Sequence, residues 1–176
     1  MKSHKIAIAT VLACAAAASQ AQSDGPTDPQ IAEIVVTANQ VDIDAGRLAM
    51  SKSRSKDVKA FAQERVKDHG AVNKSATALV HKLKVTPKAS DTSQILKKGD
   101  DNLANLKRLK GAEFNRAYID HEVTYHDAVI DAIDKTLIPN ANNAELKALL
   151  EKSRPAFVEH LDHAKRLHTS MGKTGD

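Results

Sequence analysis

Residues 84–111, KVTPKASDTSQILKKGDDNLANLKRLKG, decide the fold, because they join two long helical patterns of the sequence. Residues 85–90 predict a loop, and either Asp91 or Thr92 is suited to cap a shorter helix after it. A helix of about 18 residues spans roughly 27 Å, which is enough to run the length of a bundle. This joint therefore favours a crossover that lies across the outside of the other helices. The apolar stripe of the crossover is thin and consists of Ile95, Leu96, Leu103, Leu106 and Leu109.

Four longer patterns with apolar residues at a spacing of three to four surround this joint. They predict helices over 28–51, 55–84 and 112–137, and a fourth that is capped by Asn142 or Asn143. Because no segment predicts a strand, we expect an all-α fold: a ferritin-like antiparallel four-helix bundle with a helical crossover between helices two and three. A simple up-down-up-down bundle is the alternative, and it needs only a short connection at the joint.

The chain divides into one domain and its flanking segments. We expect a signal peptide over 1–21, a linker over 22–27, the bundle over 28–169 and a flexible tail over 170–176. Asp28, followed by a proline, is the predicted N-cap of helix one.

The composition agrees with a helical core. Hydrophobic residues make up 41% of the chain and aromatic residues only 3%, so that Ala and Leu supply most of the core, as suits helices. The single Cys excludes an internal disulfide framework and a Cys-based zinc ribbon. There is also no Gly-rich phosphate loop and no Gly-x-Ser-x-Gly elbow.

The first residues have the pattern of an export signal. Lys2 and Lys5 precede an apolar, Ala-rich run, and small residues stand where a signal peptidase cuts, after Ala21. This pattern predicts a periplasmic or secreted protein that is soluble after cleavage. Residues 11–14, VLAC, loosely resemble a lipobox and leave the alternative of a lipid anchor at Cys14. The run is too short for a transmembrane helix.

The charge gives no support to nucleic-acid binding. The chain has 26 basic and 22 acidic residues, and loss of the two signal lysines halves the excess. Basic residues are interspersed along helices without an aromatic platform, which is typical of solvated helix faces. The sequence predicts no transmembrane segment after the signal and identifies no protein partner, although an association with the cell envelope stays open.

Three histidines fall on the core-facing stripes of the predicted helices: His69, His126 and His160. Asp42 lies on the core stripe of helix one. In the crossover topology these four residues fall within a layer of roughly 8 Å along the bundle, whereas the simple topology spreads them over roughly 13 Å or more. The cluster and the crossover therefore support each other.

Such a cluster suits a transition-metal ion such as zinc, copper or iron, because neutral imidazole and carboxylate groups ligate these metals. We take His69, His126, His160 and Asp42 as the candidate ligands. The alternates are His121, His163, Glu122 and Asp44. The competing interpretation is a structural polar layer, in which buried histidines form hydrogen bonds to Asp or Tyr across the bundle.

The chemistry of a ferritin-like oxidase is not predicted. Carboxylate-bridged di-iron bundles use Glu-x-x-His on two helices, and this sequence contains no Glu-x-x-His. Catalytic residues are therefore not assigned, and whether the protein is an enzyme stays open, with the pattern favouring a non-catalytic role.

Four stretches resemble motifs of one bacterial secreted family. DIDAGRLA at 42–49 resembles E-x-E-x-G-x-L-A, and VKAFA at 58–62 with VKDH at 66–69 resembles V-x-x-F-A…M-V-x-D-H. FNRAYI at 114–119 with His126 resembles F-D-x-x-Y-(L/I)…H, and residues 155–164 resemble P-x-x-x-x-H-L-x-x-A. The family is catalogued as domain of unknown function 4142 and is described as ferritin-like, and the resemblance covers residues 30–168.

The resemblance implies a periplasmic or envelope-associated helical bundle, of a kind often labelled an outer-membrane protein, with no settled activity. It carries over three histidines, and two aspartates in place of family glutamates: His69, His126, His160, Asp42 and Asp44. Because Asp is shorter than Glu, the geometry of a shared metal site would differ here.

Three further residues depart from the family pattern. Glu122 stands where the family has Gln, and His121 and His163 are additions. The sequence and the resemblance together predict a non-catalytic periplasmic bundle that acts in envelope or stress physiology through binding, and metal binding at the histidine cluster is the specific form of this hypothesis to test. The alternatives are a metal-dependent oxidase- or catalase-like enzyme and a purely structural or partner-binding bundle.

Overall fold

The computed structural model describes residues 25–84 and 92–174, and within them every regular element is helical. The helices are α1 (Asp28–Lys52), α2 (Lys56–Leu83), α3 (Thr92–Arg108), α4 (Gly111–Ala132) and α5 (Ala144–Thr174). A π-helical turn, Ile133–Leu137, and a short segment, Ile138–Asn140, continue α4. The predicted all-α class is confirmed. The predicted signal peptide, Cys14 and Asp91 lie outside the described residues.

The start of α1 differs from the prediction. Thr27, rather than Asp28, is the N-cap, and its backbone N–H donates to Gln30 Oε1 at 2.9 Å. The Asp28 carboxylate instead accepts hydrogen bonds from the backbone N–H groups of Asn142 and Asn143, at 2.9 and 3.0 Å. Asp28 therefore ties the start of α1 to the connection before α5, a contact that is distant in sequence and that local cap signals do not report.

Asn143 caps the start of α5, and the other end of the helix extends into the predicted tail. Asn143 Oδ1 accepts from the backbone N–H groups of Glu145 and Leu146, at 2.9 and 3.1 Å, which is the capping role expected of it. At the other end the helix extends to Thr174, whereas the predicted flexible tail begins at Ser170.

Helix α1 packs most extensively against α2, and α4 packs against α5. At the turn between α1 and α2, the Ser55 side chain accepts from the backbone N–H of Val58 at 3.4 Å and caps α2. Ser53 Oγ donates to Asn115 Oδ1 at 2.7 Å, which fixes this turn to the N-terminal part of α4. The beginnings of α2 and α4 therefore lie at the same end of the molecule.

Helix α3 packs against α1. Lys52 Nζ donates to the carbonyl oxygens of Leu106 and Lys107, and the Leu106 side chain is fully buried. Nearer the beginning of α3, Gly99 packs against Val41 so closely that an added Cβ atom would come 2.7 Å from Val41 Cγ2. Because both contacts are in the same order along the two helices, α3 runs beside α1 in the same direction.

Buried apolar residues form two clusters. The first contains Ala45, Ala49, Val58, Phe61, Ala62, Leu106, Phe114, Tyr118, Ile119 and Ala164. The second contains Ile31, Val35, Ala76, Ile133, Leu137, Ala141, Leu146, Leu150 and Phe157. Along each of α1, α2, α4 and α5 the two clusters are separated by buried polar residues. Within residues 25–84 and 92–174, the structure contains no helix with the length and apolar character needed to cross a membrane.

Candidate functional site

Buried polar side chains lie between the two apolar clusters, and we call five of them, with imidazole or carboxyl groups, the polar layer. They are Asp42 from α1, His69 from α2, Glu122 and His126 from α4, and His160 from α5, and none is more than 2% exposed. The structure thus brings together the four residues that the helical spacing placed at one depth, with Glu122 as a fifth member.

The protonation of His69 follows from its partner Asn39. Asn39 Nδ2 donates to the carbonyl oxygen of Val35 at 2.7 Å, so that its Oδ1 is the atom that faces His69. Since Oδ1 is an acceptor only, His69 Nδ1 must carry a proton and donate it, and the distance is 2.7 Å. In the neutral imidazole the other nitrogen, Nε2, then has a free lone pair.

His126 and His160 are oriented in the same way. His126 Nδ1 donates to the backbone carbonyl oxygen of Glu122 at 3.0 Å. His160 Nε2 donates to the Asp68 carboxylate at 3.1 Å. His126 Nε2 and His160 Nδ1 are therefore the free nitrogens of the neutral rings.

The three free nitrogens face one another. His126 Nε2 lies 3.3 Å from His69 Nε2 and 3.3 Å from His160 Nδ1, and all three lie within 4.8 Å of one another. With all three rings neutral there is no hydrogen to share between them, and lone pairs at this distance repel. An arrangement in which each imidazole uses its outer N–H on a fixed acceptor and turns its inner nitrogen to a common point is typical of metal ligands.

Two carboxyl groups adjoin this point. Asp42 Oδ2 lies 2.9 Å from His69 Nε2, and Asp42, Glu122 and His126 form a second group whose ligand atoms lie within 4.8 Å of one another. Burial raises the pKa of Glu122 well above its usual value, and the neighbouring Asp42 carboxylate raises it further. For Asp42 burial also raises the pKa, but the electrostatic attraction and hydrogen bond of His69, with smaller contributions from His126 and Glu122, together outweigh burial and hold the pKa below its usual range. Asp42 is therefore the ionised carboxylate and Glu122 the protonated one.

Burial also keeps two of the histidines neutral. It lowers the pKa of His126 to about 4. Burial and the positive charge of Arg65 lower the pKa of His160 to about 2. At neutral pH both rings are thus available as ligands, because a metal-bound imidazole has to be free of a proton at the ligating nitrogen.

Arg65 is a charged neighbour that the sequence interpretation missed. Its side chain is only 1% exposed, pairs with Glu64 at 3.0 Å and stacks on the Phe61 ring with 4.5 Å from Cζ to the centroid. Its positive charge also acts on the polar layer, where it opposes the rise in the pKa of Glu122. Asn39 was missed as well. Both residues lie on the core-facing stripes of their helices, and this spacing was the only feature of the sequence that indicated their burial.

The remaining alternates lie away from the three nitrogens. Asp44 is half-exposed, accepts from Gln40 Nε2 at 2.8 Å and lies 3.6 Å from Arg47. His163 is about a third exposed and has Nδ1 at 3.3 Å from Glu64 Oε2. These residues occupy neighbouring helix faces and belong to surface ion pairs.

His121 turns to a cavity on the other side of α4. Its ring stacks on Tyr125, with the centroids 5.4 Å apart, and burial lowers its pKa. The cavity has a volume of about 520 Å³ and extends from buried Asn39 and His69 to Lys98 on α3. Its wall thus touches the polar layer at His69.

A family model described as Domain of unknown function (DUF4142) matches residues 12–167. No curated protein and no solved structure matches the chain. Every member of the polar layer lies inside the matched range.

Proposed function

This chain belongs to the DUF4142 family, and from that premise we propose that it is a periplasmic helical protein whose polar layer binds one transition-metal ion. The ligands would be His69, His126, His160 and Asp42. Binding of the ion, rather than catalysis, would be its contribution to envelope or stress physiology. The resemblance of its N-terminal residues to an export signal supports the location.

One observation carries this proposal: three histidines on three helices each donate the outer N–H to a fixed acceptor and turn the other nitrogen to one point. Without an ion or an additional proton these lone pairs have no partner. The Asn39 amide, a helix carbonyl and Asp68 would then be the groups that orient the ligands, as is usual around metal-binding histidines.

The distances around the His126 nitrogen fit those between donors of a tetrahedral ion. Bonds of 2.0–2.1 Å in a tetrahedral zinc site separate the donors by about 3.3–3.4 Å. The nitrogen of His126 is 3.3 Å from that of His69 and from that of His160. Three imidazoles and one carboxylate suit zinc, and imidazole-rich sites also bind copper and iron. We take zinc as the first metal to test.

A second candidate function rests on the contact of His69 Nε2 with Asp42 Oδ2 at 2.9 Å. If His69 carries both protons, this contact is a buried ion pair, and the polar layer specifies how the helices pack without binding a metal. Breaking one partner of a buried ion pair is costly even where the pair adds little net stability. The two candidates make opposite predictions for the stability of Asp42→Asn.

We also infer that the helices form the ferritin-like four-helix bundle, with α3 as the crossover between α2 and α4. Support comes from the packing of α3 along α1 and from the hydrogen bond that brings the beginnings of α2 and α4 together. This topology brings the four helices that carry the polar layer side by side.

Competition titration against a chromophoric chelator tests the metal proposal. The purified protein should bind one zinc or copper ion, and the double variant His69→Ala/His126→Ala should lose that binding. His81→Ala/His168→Ala is the matched control, because both of its histidines are exposed. Unchanged affinity in the core variant, with a folded protein by circular dichroism, would defeat the core site.

A further inference from the structure

The cavity beside the polar layer is the feature that metal binding does not use. It measures about 520 Å³, which is within the range of about 300–1,000 Å³ common for small-molecule sites. Most of its lining is aliphatic or aromatic and includes Val41, Ile95, Val129, Ala132, Leu149 and Phe157. Unfilled apolar space of this size forgoes packing contacts, so an apolar occupant would be favoured.

Three polar side chains of the cavity wall already form hydrogen bonds within the protein. Tyr125 donates its hydroxyl to the Ala38 carbonyl at 2.6 Å, and Ser153 donates to the Leu149 carbonyl at 2.8 Å. Asn39 uses both ends of its amide, one on a backbone carbonyl and the other on His69. The deep part of the cavity therefore offers an occupant mainly apolar contact.

Two polar lining groups have no such partner within residues 25–84 and 92–174. His121 Nε2 is buried and makes no hydrogen bond with the part of the chain that the structure describes. Lys98 is an exposed cation on α3. The negative charge of Asp101, another lining residue, is paired with Lys97 at 2.6 Å. An unbalanced positive charge and a spare imidazole thus occur together with the apolar lining.

We propose that the cavity binds a long-chain carboxylic acid, with the alkyl chain among the apolar residues and the carboxylate near Lys98 and His121. The apolar lining favours the alkyl chain of the ligand, and the positive charge of Lys98 favours a negatively charged headgroup. Since neither group is a metal ligand, acid binding does not depend on the proposed metal site. The two proposals can therefore fail separately.

Calorimetry of the purified protein with dodecanoate, in the presence of a chelator, tests the proposal. One molecule should bind saturably, and 1-dodecanol should bind about tenfold or more weakly because it lacks the charge. Lys98→Glu should weaken dodecanoate binding by about tenfold or more and leave 1-dodecanol unaffected. Lys107→Glu, which makes the same charge change on the same helix away from the cavity, should bind like the unmodified protein.

A space-filling variant tests the position of the alkyl chain. Ala132→Phe places a ring in the cavity and should abolish binding, whereas Ala148→Phe, on an exposed face of α5, should leave it intact. Thermal melts establish that both variants fold. Absence of saturable binding, equal affinity for acid and alcohol, or full binding by folded Ala132→Phe would each overturn the proposal. So would sedimentation data in which the unmodified protein is a dimer and Ala132→Phe a monomer, since a second copy would then fill the cavity.

Discussion

His69 donates its Nδ1 proton to Asn39 Oδ1 across the α1–α2 interface, at 2.7 Å. Asn39 is in turn held by its own hydrogen bond to the Val35 carbonyl at 2.7 Å. This chain of two bonds fixes both the tautomer of His69 and the direction of Nε2. A residue that would not touch the ion therefore determines whether His69 can bind it.

Replacement of Asn39 should consequently weaken metal binding. We expect Asn39→Ala to lower zinc affinity by about 10–100-fold, the usual effect of removing a group that orients a ligand. Loss of the buried bond should also lower the free energy of unfolding by about 1–3 kcal/mol. Competition titration and urea denaturation measure the two effects. Asn105→Ala, at an exposed position of α3, is the control, and equal zinc affinities in the two variants would contradict the proposed role.

Acid should destabilise the metal-free protein through His126. Burial lowers the pKa of His126 to about 4, compared with about 6.5 for an exposed histidine. Between these values the unfolded chain binds a proton that the folded protein does not bind. This contribution to stability is therefore fully present above about pH 6.5 and is lost as the pH falls towards 4.

The loss attributable to His126 amounts to about 3 kcal/mol, because each unit of pKa shift corresponds to about 1.4 kcal/mol. Urea denaturation in the presence of a chelator, repeated from pH 7 to pH 4, measures it. A His126→Gln variant should have a shallower dependence on pH, and His168→Gln, at an exposed position, should keep the original one. Stability that rises on acidification would contradict the neutral, buried state of His126.

Two helix-interior glycines should respond in opposite ways to alanine. At Gly46 an added Cβ would come 2.8 Å from Val66 Cγ2 and 3.3 Å from the Ala62 carbonyl oxygen, whereas at Gly70 nothing lies within 4 Å. Gly70→Ala should therefore stabilise the protein by up to about 1 kcal/mol, the difference in helix propensity. Gly46→Ala should destabilise it by about 1–3 kcal/mol, because α1 and α2 must separate. Thermal melts of the two variants test this, and stabilisation by Gly46→Ala would show that the helices are not so closely packed.

The sequence predicted the helices well because their signals are local. Apolar residues at a spacing of three to four and the caps of successive helices define most of the bounds within a few residues, and the same spacing put His69, His126 and His160 on core faces. Asp28 shows the limit of this reasoning. Its position suggested a cap, but its carboxylate binds a backbone segment more than a hundred residues away in sequence.

The choice between adjacent residues of α4 depends on the rotation of the helix, which the sequence leaves uncertain. Residues 121 and 122 point about 100° apart, so that Glu122 lies in the polar layer with His126, one helical turn on, and His121 lines the cavity with Tyr125. The cavity itself could not be predicted, because its volume depends on how far α3 stands from α4. Asn39 and Arg65 were missed since a polar residue on a core stripe is not in itself a sign of a partner.

The variant Asp42→Asn separates the two candidate functions of the polar layer. If His69 and Asp42 form a structural ion pair, the variant leaves a buried charge without its partner and should lose about 3–5 kcal/mol of stability. If Asp42 is instead a metal ligand, its charge lies against a lone pair of neutral His69 when no metal is bound. The metal-free variant should then be about as stable as the unmodified protein.

Zinc provides the second measurement for the same variant. A ligand that binds only the folded state raises its stability in proportion to the logarithm of ligand concentration over Kd. Saturating zinc should therefore raise the melting temperature of the unmodified protein more than that of Asp42→Asn, and Asp44→Asn, two residues along α1 and half-exposed, should respond like the unmodified protein. A large loss of stability in metal-free Asp42→Asn, together with no effect of zinc on either protein, would identify the polar layer as structural, because the 2.9 Å contact of Asp42 with His69 would then be an ion pair.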